Sequence, residues 1–191
     1  MKIWVDLDEV LAKFLDAFLA YHNDTYGTDY KFEDAFDYDF WKVRGGTREE
    51  IIEKVYDFHK TAYFEDIKPV EWALPVLQRL KQDHALYLIT SRQDSIQEQS
   101  KARIHKHFPD IFTDFFFVNH FSTEGVQRKK SDVCNEVGID VMIDDSLVYA
   151  EDCLAPGREV LLYKRPWNEY REVNPAIKVI QNRNEIDRLI C

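Results

Sequence analysis

Cysteine is scarce in this 191-residue chain, and its three copies, Cys134, Cys153 and Cys191, stand too far apart for a CxxC pair. That spacing speaks against a disulfide framework and a cysteine-ligated zinc site, so all three read as reduced thiols. Glycine and proline number six each, and no low-complexity tract or internal repeat is present. No apolar run approaches the ~20 residues of a membrane-spanning helix. Positive charge is short as well, with 25 Lys and Arg against 35 Asp and Glu and a formal net charge of −10. Duplex binding leans on cationic side chains, so a nucleic-acid polymer is not expected as the main partner. A small anion stays open, because a metal and a few local cations can hold one phosphate in an acidic protein. The first strand begins at residue 3 and leaves no room for a signal peptide ahead of it, so a cytoplasmic enzyme is expected.

What the chain does have is apolar and aromatic content, 45% and 14%. This excludes disorder and suits one domain with an insertion. The most informative stretch is Ile3 to Val10, a short apolar run ending in two aspartates, Asp6 and Asp8. It reads as a buried strand with both carboxylates at its C-terminal edge. Ligands bind at that edge of an open parallel sheet. Carboxylates buried there need a counter-charge, and Mg²⁺ favours hard oxygen donors and phosphate.

An amphipathic stripe, Leu11, Phe14, Leu15, Phe18 and Leu19, predicts a helix ending near Gly27. Residues 29–44 are dense in acids and rings without a clean period. Thr47 and Glu50 form a capping box ahead of Ile51, Ile52, Val55 and Phe58. From Pro69 the pattern becomes regular strand–helix alternation. It includes a second capping box at Ser95 and Glu98, strands ending at Thr90 and at Asp144-Asp145, and a helix over 130–137. The expected fold is α/β, a Rossmann-like parallel sheet with helices on both faces. The core is assigned to 1–13 and 70–191, and a small helical cap to 14–69.

Three strands thus end in polar groups at one topological place: Asp6 and Asp8, Thr90 and Ser91, Asp144 and Asp145, with Lys130 just before the last strand. Acids, hydroxyls, a fixed cation and Mg²⁺ are what phosphoryl transfer to a carboxylate requires. Each group also has a plainer reading. Asp6 and Asp8 could form turns, Thr90 could satisfy backbone groups, Asp144 and Asp145 could cap the next helix, and Lys129 competes with Lys130. Receiver domains combine similar groups, but they place the acidic pair on the first strand and the phospho-acceptor on a middle one. The order here is the reverse.

Asp6-Leu-Asp-Glu-Val10, Thr90, Lys130 and Asp144-Asp145 stand in the order of the four motifs of the haloacid dehalogenase superfamily, which the chain resembles over residues 1 to about 165. Residues 6–12 with Phe14, 88–92, 130–134 and 142–146 resemble more closely its 5′(3′)-deoxyribonucleotidase branch. Residues 164–168 are similar to a segment of bacterial members. Many members carry glycine where this chain has Glu9. The resemblance implies a C1-type cap and a Mg²⁺-dependent phosphomonoesterase for 5′-(deoxy)ribonucleotides, with another small phosphate ester such as a sugar phosphate as the alternative. It implies Asp6 as nucleophile and Asp8 as acid/base. Mg²⁺ would be held by Asp6, the Asp8 carbonyl and Asp144, with Asp145 supporting from outside the ligand set. Thr90, Ser91 and Lys130 would meet the phosphate, and Arg92, beside the hydroxyl motif, is a candidate for phosphate or sugar. In the cap, Phe36, Phe40 and Trp41 either stack on a base or form cap core, and Arg44 is a candidate for phosphate or sugar. Trp167 reads as packing. The six histidines show no ligand spacing. A homodimer is an open expectation, and no membrane partner is expected.

Overall fold

The computed structural model describes residues 1–38, 40–120, 122 and 125–190; the side chains of Phe40, Arg44, Arg183 and Asp187 fall outside the described set. The strands are β1 (Lys2–Val5), β2 (Ala85–Thr90), β3 (Asp114–Phe117), β4 (Val141–Asp144), β5 (Glu159–Tyr163) and β6 (Ile177–Ile180). The helices are α1 (Phe14–Tyr26), α2 (Phe40–Arg44), α3 (Arg48–Phe58), α4 (Ala62–Glu65), α5 (Ala73–Asp83), α6 (Gln97–His107), α7 (Lys130–Val137), α8 (Leu147–Asp152) and α9 (Arg183–Ile190).

The sheet is parallel throughout, in the order β3-β2-β1-β4-β5-β6. The chain runs outward from β1 to β2 and β3, then returns to the other side of β1 for β4, β5 and β6. The order reverses between β1 and β4, so a crevice opens at their C-terminal ends. Alternate residues of β1 face opposite layers. Ile3 and Val5 pack with Val76, Leu77, Leu80, Ile104 and Ile186 of α5, α6 and α9. Trp4 packs with Val133, Cys134, Tyr149 and Ala150 of α7 and α8. Both faces are covered, as the near-continuous apolar strands require.

Residues 14–69 contribute α1 to α4 and, among the described residues, no strand. Their two ends are tied together by an antiparallel bridge of Ala12 with Pro69. Lys13 N–H donates to the Lys68 carbonyl at 2.9 Å, and Val70 N–H donates to that of Leu11 at 2.8 Å. Inside, Phe58 meets Phe14, Phe18 and Phe64 edge-on at 5.4, 5.4 and 5.5 Å. The Thr47–Glu50 capping box forms with both of its hydrogen bonds. No helix among the described residues is long and apolar enough to cross a membrane.

Two local expectations are corrected. The stripe that starts at Leu11 does not become helix until Phe14. Glu9 adopts the left-handed region at φ 63°, and the Leu11 and Ala12 N–H groups both donate to the Leu7 carbonyl at 2.9 Å, closing a tight loop first. The Ser95–Glu98 capping box does not form. Ser95 lies inside a 3₁₀ turn over Asp94–Ile96, and α6 starts after Ile96 without a side-chain cap.

Candidate active site

Parallel pairing brings the motif residues together. Asp6 N–H donates to the Ile143 carbonyl at 2.9 Å, which extends the β1–β4 ladder by one residue and sets Asp6 beside Asp144. One carboxylate oxygen each from Asp6, Asp144 and Asp145 lie within 4.8 Å of one another, and all three residues are buried. Lys130, the first residue of α7, donates from Nζ to Asp6 Oδ1 at 2.7 Å and to Asp144 Oδ2 at 2.8 Å. Its ammonium also lies 4.3 Å from the Tyr149 ring centre and 5.2 Å from that of Trp4. Lys129 is exposed, so the geometry places Lys130 at the acids.

The electrostatics follow from three buried carboxylates sharing one ammonium. Burial pushes the Asp6 carboxyl up to about 8, with Lys130 opposing and Asp144 and Asp8 adding to the rise. Asp145 is raised well above the ordinary carboxylate value by burial, then by Asp144, Asp6 and Glu9. Burial alone would lower the Lys130 pKa, but Asp144 and Asp6 outweigh it and the ammonium is held charged. One ammonium does not suffice to keep all three carboxylates ionised near neutral pH, and a further cation would be needed to do so. An all-oxygen set with excess negative charge fits a hard divalent ion such as Mg²⁺.

Around these acids the remaining polar groups are held in place. Asp144 Oδ1 accepts from Ser146 N–H at 2.8 Å. Thr90, 1% exposed, accepts from Arg92 N–H at 3.3 Å through its hydroxyl oxygen, which leaves the hydroxyl hydrogen to donate elsewhere. Ser91 Oγ makes no hydrogen bond of ordinary geometry. Asp145 is fastened by the segment after β5. Trp167 Nε1 donates to Asp145 Oδ2 at 3.0 Å, and Asn168 Nδ2 donates to the Asp145 carbonyl at 2.8 Å. Arg165 of the same segment donates to the Glu9 carbonyl. Glu9 Oε1 accepts from Leu15 N–H in the first turn of α1 at 2.6 Å. Burial pushes the Glu9 carboxyl up to about 7, with the Leu15 N–H and Arg165 opposing. The left-handed backbone there suits glycine, and Glu9 tolerates it while anchored at both its carbonyl and its carboxylate.

A cavity of about 200 Å³ opens above the acids. Its floor is Asp6, Asp8, Asp145, Thr90, Ser91 and Arg92; its wall includes Phe14, Leu15, Phe18, Trp41, Ile51, Ile52 and His59. Trp167 also lines it, so the residue expected only to pack both lines the cavity and holds an acid.

Three sequence-level assignments change. Phe36 is 61% exposed and is absent from the cavity lining; Phe14 and Phe18 of α1 face the cavity instead. Arg92, a candidate for phosphate or sugar, pairs with Asp8: Nε donates to Oδ2 at 2.9 Å and Nη2 to Oδ1 at 2.7 Å. His59, which shares with the other histidines only the lack of ligand spacing in the sequence, is buried with Nδ1 unpartnered. Burial, then the Arg92 cation, lowers its pKa to about 3, which keeps it neutral. Trp41 does line the cavity, whereas the side chains of Phe40 and Arg44 lie outside the described residues. His59 and the Arg165–Asn168 clamp carry no period or spacing by which a linear reading could have assigned them.

Residues 1–190 match the family model described as "5' nucleotidase, deoxy (Pyrimidine), cytosolic type C protein". A protein of Halalkalibacterium halodurans provisionally named a nucleotidase is 33% identical over 151 residues, covering 79% of this chain and 73% of that protein. Among solved structures, a haloacid dehalogenase-like hydrolase from Streptococcus pneumoniae superimposes with a TM-score of 0.69 at 13% identity, over 98% of this chain and 97% of that one. A provisionally named hydrolase of the same superfamily from Bacillus subtilis, solved with magnesium bound, gives 0.65 at 17% identity over 99% and 97%. At such identities these two structures speak for the fold alone.

Proposed function

Because the chain belongs to the cytosolic type C 5′-nucleotidase family of haloacid dehalogenase-like hydrolases, we propose that it is a Mg²⁺-dependent phosphomonoesterase. Its substrates would be 5′-(deoxy)ribonucleoside monophosphates, hydrolysed through an aspartyl-phosphate on Asp6. The observation that carries this reading is the convergence of three buried carboxylates and Lys130 beneath a small aromatic-walled cavity. Asp6 attacks phosphorus while Asp8 protonates the departing nucleoside oxygen. Asp8 then takes a proton from the water that cleaves the Asp6–phosphate bond, releasing inorganic phosphate and restoring both acids. Thr90 and Ser91 donate to the phosphate oxygens, and Lys130 balances the charge that develops on them. Asp6, Asp144 and the Asp8 carbonyl would hold the ion, with Asp145 behind them. The bound ion supplies charge neutralisation for the phosphate. Aromatic faces in the wall suit a planar base, which stacks with little regard to its identity.

The test is phosphate release from deoxynucleoside, ribonucleoside and sugar monophosphates, with Mg²⁺ or EDTA, for the parent and Asp6→Asn. The expected result is release concentrated on nucleotides, lost in EDTA and reduced about 10³-fold or more in the variant. Release concentrated on sugar phosphates would overturn the substrate, and no release at all would overturn the activity.

A further inference from the structure

Lys130 bonds Asp6 and Asp144, and Trp167 bonds Asp145, so neither of them holds the remaining floor acid, Asp8. It follows the last strand residue of β1 by three positions, and its side chain is 26% exposed. A loop carboxylate with that much freedom would sample several rotamers. Here both of its oxygens are taken by Arg92, in the parallel two-point geometry that gives an arginine–carboxylate pair its directionality. The guanidinium is itself immobilised. Its side chain is 4% exposed, and Nη1 donates to Ser100 Oγ of α6 at 2.8 Å. Its central carbon lies 5.2 Å from the Phe64 ring centre and 5.9 Å from that of Phe14. Turning Arg92 toward a phosphate would break both bonds to Asp8 and the bond to Ser100.

We infer that Arg92 is a positioning residue that aims the Asp8 carboxyl at the leaving-group oxygen, with Ser100 as its anchor, and is not a phosphate ligand. A general acid works only within hydrogen-bond reach of the atom it protonates, and a misplacement of about 1 Å can cost 10²-fold. The acid matters only when the leaving group needs a proton. A nucleoside alkoxide does, whereas p-nitrophenolate departs as a stable anion. The inference rests on the phosphomonoesterase reading above.

The experiment compares kcat/KM, which reports steps up to leaving-group departure, for dUMP and p-nitrophenyl phosphate in the parent, Arg92→Lys and Ser100→Ala. In Arg92→Lys the dUMP value is expected to fall about 10-fold or more beyond any fall for p-nitrophenyl phosphate, and the dUMP loss to sit in kcat rather than KM. Ser100→Ala, a small change remote from the cavity, should shift the ratio of the two substrates in the same direction by a smaller factor. Equal losses on both substrates in both variants, or a loss carried by KM, would overturn the positioning role in favour of a phosphate contact or a packing role. A parent that releases phosphate from neither substrate would overturn the underlying phosphatase reading and the inference with it.

Discussion

The floor and the wall of the cavity are built in opposite ways. The floor consists of strand ends. Asp6 follows β1, Thr90 ends β2 and Asp144 ends β4, so backbone ladders fix their separations and each charged side chain is bonded to a named partner. The wall consists of helix faces from α1 and α3 and of loop residues near 35–41. Its rings are held by packing, as in the Phe14, Phe18, Phe58 and Phe64 cluster. A ladder leaves little tolerance in position, which suits bond making; a packed aromatic wall can change its outline by substitution without disturbing the acids below. On the proposed function, chemistry and substrate choice would be separable within one pocket, and substitutions in the two regions should give different signatures.

The largest effect is expected at the floor. Lys130→Met removes the ammonium shared by Asp6 and Asp144 and leaves buried carboxylates uncompensated, at a cost of about 3–5 kcal/mol. Urea unfolding in EDTA would show the loss, and added Mg²⁺ should recover part of it by binding the folded state. Unchanged stability in EDTA would mean that the Lys130 ammonium does not balance an ionised carboxylate of Asp6 or Asp144.

The next effect lies in the wall and depends on pH. His59 is neutral in the folded chain with a pKa near 3, against an ordinary value of 6.5. Below pH 6.5 the unfolded chain binds a proton that the folded chain does not. The His59 contribution to stability is thus present above 6.5 and is lost as pH falls toward 3, by about 2 kcal/mol at pH 5. Comparing unfolding at pH 7 and pH 5, His59→Asn should lose less stability than the parent by about that amount. Equal losses in the two proteins would show that His59 already titrates normally.

The smallest effect sharpens the contrast. Ile52→Val trims one methyl-sized group from the wall, and steady-state kinetics should show KM for a nucleotide raised about 5-fold with kcat nearly unchanged. A fall in kcat of similar size would join wall and floor into one unit and break the distinction.

Much of the floor could be read from the chain because its residues follow short apolar runs, and a parallel sheet places such ends side by side. The same local logic located the Thr47–Glu50 cap and the helix over 130–137, which Gly138 ends at a left-handed φ of 73°. It failed at Ser95, where a 3₁₀ turn intervened, and at Leu11, where the left-handed Glu9 delayed the helix.

The sequence by itself determined the fold class, the order of the motifs and the identity of the acids, because each depends on local periodicity or on residues at a strand's end. Tertiary structure alone decided that Arg92 holds Asp8, that Trp167 and Asn168 hold Asp145, that Phe36 faces solvent while Phe14 lines the cavity, and that His59 is buried and neutral. Those outcomes join residues as far as 84 positions apart. They depend on which groups packing leaves room for and which burial leaves without water, and neither is written in the spacing of one segment.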